Sequence, residues 1–126
     1  MQIEFVATPD APQAIGPYSQ AVKAHGFLYT SGQIALDPAT GALVEGSFEE
    51  QVHRVFKNLE AILRAGGSDF SRVLKATVYV TDLQNFQTLN TIYASYFGEH
   101  KPARTTVEVP ALPKGGAVEI DLVALV

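Results

Sequence analysis

The residue pattern predicts an α+β domain, with one mostly antiparallel sheet and two helices on one of its faces, spanning residues 1–126 as a single unit. Three observations predict it. Two stretches repeat apolar residues at spacings of three and four, as amphipathic helices do. Five others are strand-like runs bounded by Gly, Pro, Asp or Asn. Their order is strands, helix, strand, helix, strands, and two helices cover only one face of a sheet. A length of 126 residues fits one domain, and 47% hydrophobic with 17% charged residues is enough to build a core.

Each element has a local reason. Residues 7–17 hold Pro9, Pro12, Gly16 and Pro17 and read as an extended loop. Strands at 20–24 and 27–34 flank His25-Gly26, which has the chemistry of a hairpin turn. A second turn lies at Asp37-Pro38-Ala39-Thr40-Gly41. Ser47 followed by Glu50 matches a capping box. Phe48, Val52, Val55, Phe56, Leu59, Ile62 and Leu63 then form one apolar stripe. Glu50–Arg54 and Glu60–Arg64 are spaced for i,i+4 pairing on the wet side, and Gly66-Gly67 ends the helix as a left-handed cap would. A strand at 73–81 leads to a second helix at 85–97, with Phe86, Leu89, Ile92, Tyr93, Tyr96 and Phe97 on its face. Strands at 104–109 and 117–126 complete the sheet.

The last strand separates two faces. Val118, Ile120, Leu122, Ala124 and Val126 point toward the helices; Glu119, Asp121, Val123 and Leu125 point away, because side chains alternate along a strand. Half of that second face is apolar. The expectation is that another subunit covers it.

Composition excludes several classes of function. The absence of cysteine rules out disulfides, thiolate catalysis and cysteine-based zinc sites. The stretch Met1-Gln2-Ile3-Glu4-Phe5 has no secretion-signal character, and no run approaches the roughly 20 apolar residues of a membrane span. A cytoplasmic location is expected. A net charge of −4 with nine scattered basic residues argues against a nucleic-acid partner. One local group, His100, Lys101, Arg104 and Lys114, suits a small anion better. His25, His53 and His100 fall on different elements, so no metal site is expected, and phosphate and dinucleotide loops are missing.

The candidate chemistry is a sparse polar set at strand ends. Arg104 opens a strand after Pro102-Ala103, where its guanidinium can grip a carboxylate through two parallel hydrogen bonds; the alternative is a solvated arginine. Glu119 sits among apolar neighbours and must be paired, reached by water or shifted in pKa. Tyr18 follows a rigid turn, with a packing aromatic as the alternative. Ser31 ends a strand beside Gly32, which lets a ligand approach the backbone; a bulge explains the pair equally simply. Asn90, near the apolar stripe of the second helix, is expected to make a structural helix-to-loop hydrogen bond. Alternation also puts Arg104, Thr106 and Glu108 on one face, consistent with a shared pocket beside Glu119.

Taken together, Ile15-Gly16-Pro17-Tyr18-Ser19-Gln20-Ala21, Thr30-Ser31-Gly32-Gln33-Ile34, Pro102-Ala103-Arg104 and Leu112-Pro113-Lys114 before Val118-Glu119-Ile120 resemble the RidA (YjgF) family of enamine/imine deaminases. The resemblance runs along essentially the whole chain in order. It implies a chorismate-mutase-like homotrimer whose sheets form a central barrel, with a ligand pocket at each subunit interface. It also implies hydrolysis of 2-imino acids such as 2-iminobutanoate and 2-iminopropanoate, or their enamine tautomers, to 2-oxo acids and ammonia, with no cofactor and no metal.

By position, Arg104 resembles the family's carboxylate-binding arginine, and Glu119 the residue that positions or deprotonates the attacking water. Tyr18, Ser31, Gly32 and Asn90 fall where the family lines and supports its pocket. Thr106 falls where a backbone group faces the ligand. Several members carry Cys at that position, and Thr105 departs from the small residue usual after the arginine. Two other readings stand beside the deaminase. One is a trimer that binds small carboxylates without turnover, and the other is an endoribonuclease or translation inhibitor, which the acidic balance disfavours.

Overall fold

The computed structural model describes residues 2–126. Six strands and two helices follow in the order β1 (Glu4–Val6), β2 (Ala21–Ala24), β3 (Phe27–Thr30), α1 (Phe48–Ala65), β4 (Val73–Val80), α2 (Phe86–Phe97), β5 (Ala103–Glu108) and β6 (Val118–Leu125). They form one sheet in the order β1-β2-β3-β6-β4-β5. Every neighbouring pair is antiparallel except β4 and β5, which run parallel. Parallel neighbours need a crossover connection, and α2 supplies it.

The first helix forms as its ends dictate. The Ser47 side chain accepts from the Glu50 backbone N–H, and the Glu50 carboxylate accepts from the Ser47 N–H. Glu50 is therefore held at the cap and does not pair with Arg54, contrary to the spacing; Arg54 donates to Asn58 Oδ1 instead, at 3.0 Å. The Glu60–Arg64 pair does form, at 3.7 Å. Gly67, not Gly66, takes the left-handed conformation, with φ of 87°. At Gly66 a Cβ would lie 2.8 Å from the Leu28 methyls, so the chain passes too close to β3 for any side chain.

Both helices pack on the same face. Val52, Val55, Phe56, Leu59, Ile62 and Leu63 of α1 are fully buried against Leu28, Val73, Ala76, Val78, Ile120 and Ala124 of the sheet. Phe56 stacks on Tyr96 of α2 with ring centroids 4.5 Å apart. Phe56→Ala would remove about 3–5 kcal/mol, because neither helix can collapse into the hole alone.

Two departures from the sequence reading bear on function. β1 is a sixth strand, three residues long. The strand expected over 27–34 ends at Thr30, and pairing resumes only at a single bridge between Gln33 and Ile120. Ser31 and Gly32 occupy the break.

Buried polar side chains fix the loops around it. Gln20 Nε2 donates to the carbonyls of Thr8, Ala11 and Pro12, pinning the proline-rich segment. Asn58 Nδ2 donates to the Leu36 carbonyl at 2.9 Å, and Gln51 Oε1 accepts from the Ala117 N–H at 2.9 Å. Broken backbone pairing inside a fold must be satisfied somewhere, and these three amides do so.

Candidate functional site

The polar residues singled out in the sequence gather in two places, not one. The first is a cleft of about 520 Å³ whose walls include Tyr18, Ser31, Gly32, Gln33, Lys114 and Glu119. The break in β3 builds it. The Ser31 N–H bonds the Gln20 carbonyl and Ser31 Oγ donates to the Ser19 carbonyl, which turns the chain outward before Gln33 rejoins β6. Gly32 is then packed against the Glu119 side chain: a Cβ at Gly32 would lie 2.9 Å from the Glu119 carboxyl carbon. Only glycine leaves the carboxylate where it is.

Glu119 is partly buried and, among the described residues, has no basic partner. Burial pushes its pKa above the ordinary 4.5, and the nearby Asp121 charge adds to the effect. A carboxylate in this state takes up a proton readily. Asp121 is itself raised by burial, with the Thr77 hydroxyl and Lys75 acting the other way. The Tyr18 ring is 54% exposed and stands between this cleft and a second one of about 550 Å³ along Phe5–Pro9, so it is a wall and not a packed core aromatic.

The second place lies between α2 and β5, the sheet's edge strand. Arg104 is partly buried and forms no ion pair among the described residues. Its guanidinium carbon stands 4.8 Å from the centre of the Tyr93 ring and 5.5 Å from that of Phe86. Three polar atoms there are buried without a hydrogen-bond partner: Asn90 Oδ1, Tyr93 OH and Thr106 Oγ1. Burial raises the Tyr93 pKa, so this hydroxyl stays a neutral donor. Orphaned buried polar atoms are uncommon in a finished interior. Beside an unpaired guanidinium, they leave hydrogen-bonding capacity between α2 and β5 that the described residues do not fill.

Register keeps the two places apart. Arg104 pairs with Ala76, which pairs with Leu122, while Glu119 pairs with Tyr79, which pairs with Val107. Paired residues share a face, so Arg104 and Thr106 lie on the helix side of the sheet and Glu119 on the other. The expected shared pocket beside Glu119 therefore does not form within one chain.

The family model described as endoribonuclease L-PSP, the YjgF/RidA family, matches residues 8–126. The chain belongs to the RidA family. A RutC family protein of Pyrococcus horikoshii is 49% identical over 121 residues, 96% of each chain. The 2-iminobutanoate/2-iminopropanoate deaminase of Bos taurus is 47% identical over 122 residues, covering 97% of this chain and 89% of that one. The solved structure of Escherichia coli TdcF with bound serine superposes with a TM-score of 0.92 at 37% identity, over 98% of each chain.

Against this RidA frame, other expectations are corrected. The structural hydrogen bond expected of Asn90 is not made by its Oδ1. The basic group does not gather: His100 Nε2 lies 2.6 Å from the Val73 carbonyl, and Lys114, which lines the Glu119 cleft, donates to the Gly41 carbonyl. Glu108 accepts from the Leu83 N–H at 2.9 Å, a contact that ties β5 to the approach to α2.

The sequence pattern marks Phe86 and Tyr93 only as apolar helix positions. One available signal was that Phe86, Asn90 and Tyr93 sit at i, i+4 and i+7, an amide between two aromatics on one helix face. No helix is long and apolar enough to cross a membrane among the described residues.

Proposed function

We propose that this chain hydrolyses short 2-imino acids and their enamine tautomers to 2-oxo acids and ammonia, in pockets completed between copies of the chain in a homotrimer. One observation carries the reading. An unpaired guanidinium and an unpaired carboxylate of raised pKa occupy opposite faces of one sheet, so each is half of a site that a neighbouring copy can complete. Arg104 lies on the edge strand, within reach of another subunit. The face bearing Glu119 leaves Phe5, Tyr29, Val107 and Leu125 exposed, an apolar surface suited to a partner.

The chemistry follows from the two groups. Arg104 holds the substrate carboxylate in a planar two-bond grip that fixes the adjacent imine carbon. Glu119 of a neighbouring copy takes a proton from water as its oxygen attacks that carbon and passes it to the imine nitrogen, giving the carbinolamine. Glu119 then takes the carbinolamine hydroxyl proton and delivers it to the nitrogen as the C–N bond breaks, so that ammonia leaves and C=O replaces C=N. Imine and water become oxo acid and ammonia, with no change in oxidation state. The deaminase name of the bovine relative supports this reaction.

The test generates 2-iminobutanoate in place with an amino-acid oxidase and traps it with semicarbazide. The parent protein is expected to lower semicarbazone formation, and an equal amount of Arg104→Ala to leave it unchanged. The serine held by TdcF also fits a protein that only binds small carboxylates. Binding of 2-oxobutanoate with no effect on trapping would establish that second reading and end the first.

A further inference from the structure

We propose that Tyr93, with Phe86 on the same helix, is a positioning residue that stacks on the Arg104 guanidinium and aims its N–H fork at the ligand. The proposal rests on the carboxylate grip argued above and adds the two rings that restrain it. Arginine has a long, flexible side chain, and holding one conformer for a ligand normally needs a carboxylate or carbonyl partner. Among the described residues, no carboxylate pairs with Arg104. Two aromatic rings stand over its guanidinium instead, at 4.8 and 5.5 Å.

A guanidinium can stack through its flat face while its donors all lie in its plane. Aromatic walls thus restrain the side chain without consuming a hydrogen bond, whereas a carboxylate would compete with the ligand. The ring quadrupole also favours the cation.

The two walls are held unequally. Tyr93 is locked by its neighbours, with ring centroids 4.6 Å from Phe97 and 5.8 Å from Phe56. Phe86 is 39% exposed. Tyr93 is therefore the rigid wall and Phe86 the adjustable one. A purely structural tyrosine would have its hydroxyl satisfied, yet this one is buried without a partner.

Two readouts test the proposal, one independent of turnover. In the parent, the Arg104 Nε–H proton, assigned by its loss in Arg104→Lys, is expected upfield of a free arginine because it lies over the rings. Tyr93→Leu should return it toward the free position and raise KM for the imine about fivefold to tenfold, with a smaller change in kcat, as loss of ligand positioning does. Tyr93→Phe should recover most of that loss. A role in packing alone would lower thermal stability and the active fraction without moving KM.

If Tyr93→Leu does not fold, Phe86→Leu gives the same two readouts from an exposed position. A parent-like proton shift and KM in a folded leucine variant overturn the proposal, as does Tyr93→Phe losing as much as Tyr93→Leu. If the parent hydrolyses no imine, the deaminase reading falls, while the proton shift still decides the stacking.

Discussion

Arg104 is braced by side chains, whereas Glu119 is braced by the absence of one. The arginine has rings at 4.8 and 5.5 Å and buried polar atoms nearby without partners. The carboxylate lies against Gly32, in a space that a single methyl group would close. The difference suits the two tasks proposed above. A long cation must lose its freedom before it can bind with geometric precision. A short carboxylate on a central strand is already positioned, and needs only a partly dry setting that raises its proton affinity. Under the proposed function, each half needs a group that its own chain places on the other side of the sheet.

The largest effect tests that division of labour. Glu119→Gln keeps the shape and removes the base, so kcat should fall about 1,000-fold, within the usual range for a general acid–base group, while 2-oxobutanoate binding persists. Equal loss of binding and turnover would make Glu119 structural. Arg104→Lys should reduce kcat/KM about 100-fold, mostly through KM, since charge-assisted bonds are worth about 1.5–3 kcal/mol and a point charge cannot reproduce the fork. Parent-like turnover in that variant would remove the carboxylate grip.

Mixing the two variants asks whether the halves meet between copies. Denatured together and reassembled, Arg104→Lys and Glu119→Gln chains should regain activity in about a quarter of the pockets of a closed ring, the product of two even odds. No recovery from a reassembled mixture would break the shared-site reading.

A smaller effect sharpens the contrast between the two braces. Gly32→Ala should lower kcat about tenfold with little change in KM, because the added carbon displaces the Glu119 carboxylate and a displacement of this kind costs rate more than binding. A parallel rise in KM would instead place Gly32 against the ligand.

What the sequence made legible depended on how local the cause was. The Ser47–Glu50 cap and the stripe from Phe48 to Leu63 are settled within one helix, and they stand where the pattern put them. The two faces of β6 were readable because Val118, Ile120 and Leu122 alternate with Glu119 and Asp121. β5 misled for a physical reason. Its helix-side residues are Arg104, Thr106 and Glu108, while Val107 faces away, so its polarity runs opposite to that of an ordinary covered strand. Alternation alone grouped Arg104 with Thr106 correctly but could not say on which side they lie. β1 escaped because three residues carry too little pattern, and its existence depends on pairing with β2. The approach of Tyr93 to Arg104 joins a helix to the strand that follows it, a relation fixed only once α2 has crossed the sheet.

The smallest predicted effect concerns the proton itself. As the proposed base, Glu119 must be ionised to accept a proton from water, and its pKa is raised first by burial and then by the Asp121 charge. The acid limb of kcat/KM should therefore lie above the ordinary glutamate value of 4.5. Asp121→Asn removes only the second cause, so the limb should move to lower pH without reaching 4.5. Stability carries the same signature with a definite sign. A carboxyl whose folded pKa is raised binds protons more tightly in the folded state, so stability falls as pH rises through the interval from its ordinary to its raised value. Asp121→Asn eliminates that term for one residue. Its melting temperature relative to the parent should therefore climb between acidic and neutral pH. A limb that stays in place after Asp121→Asn would mean that burial alone tunes Glu119, and that the dry setting beside Gly32 is the whole of the control.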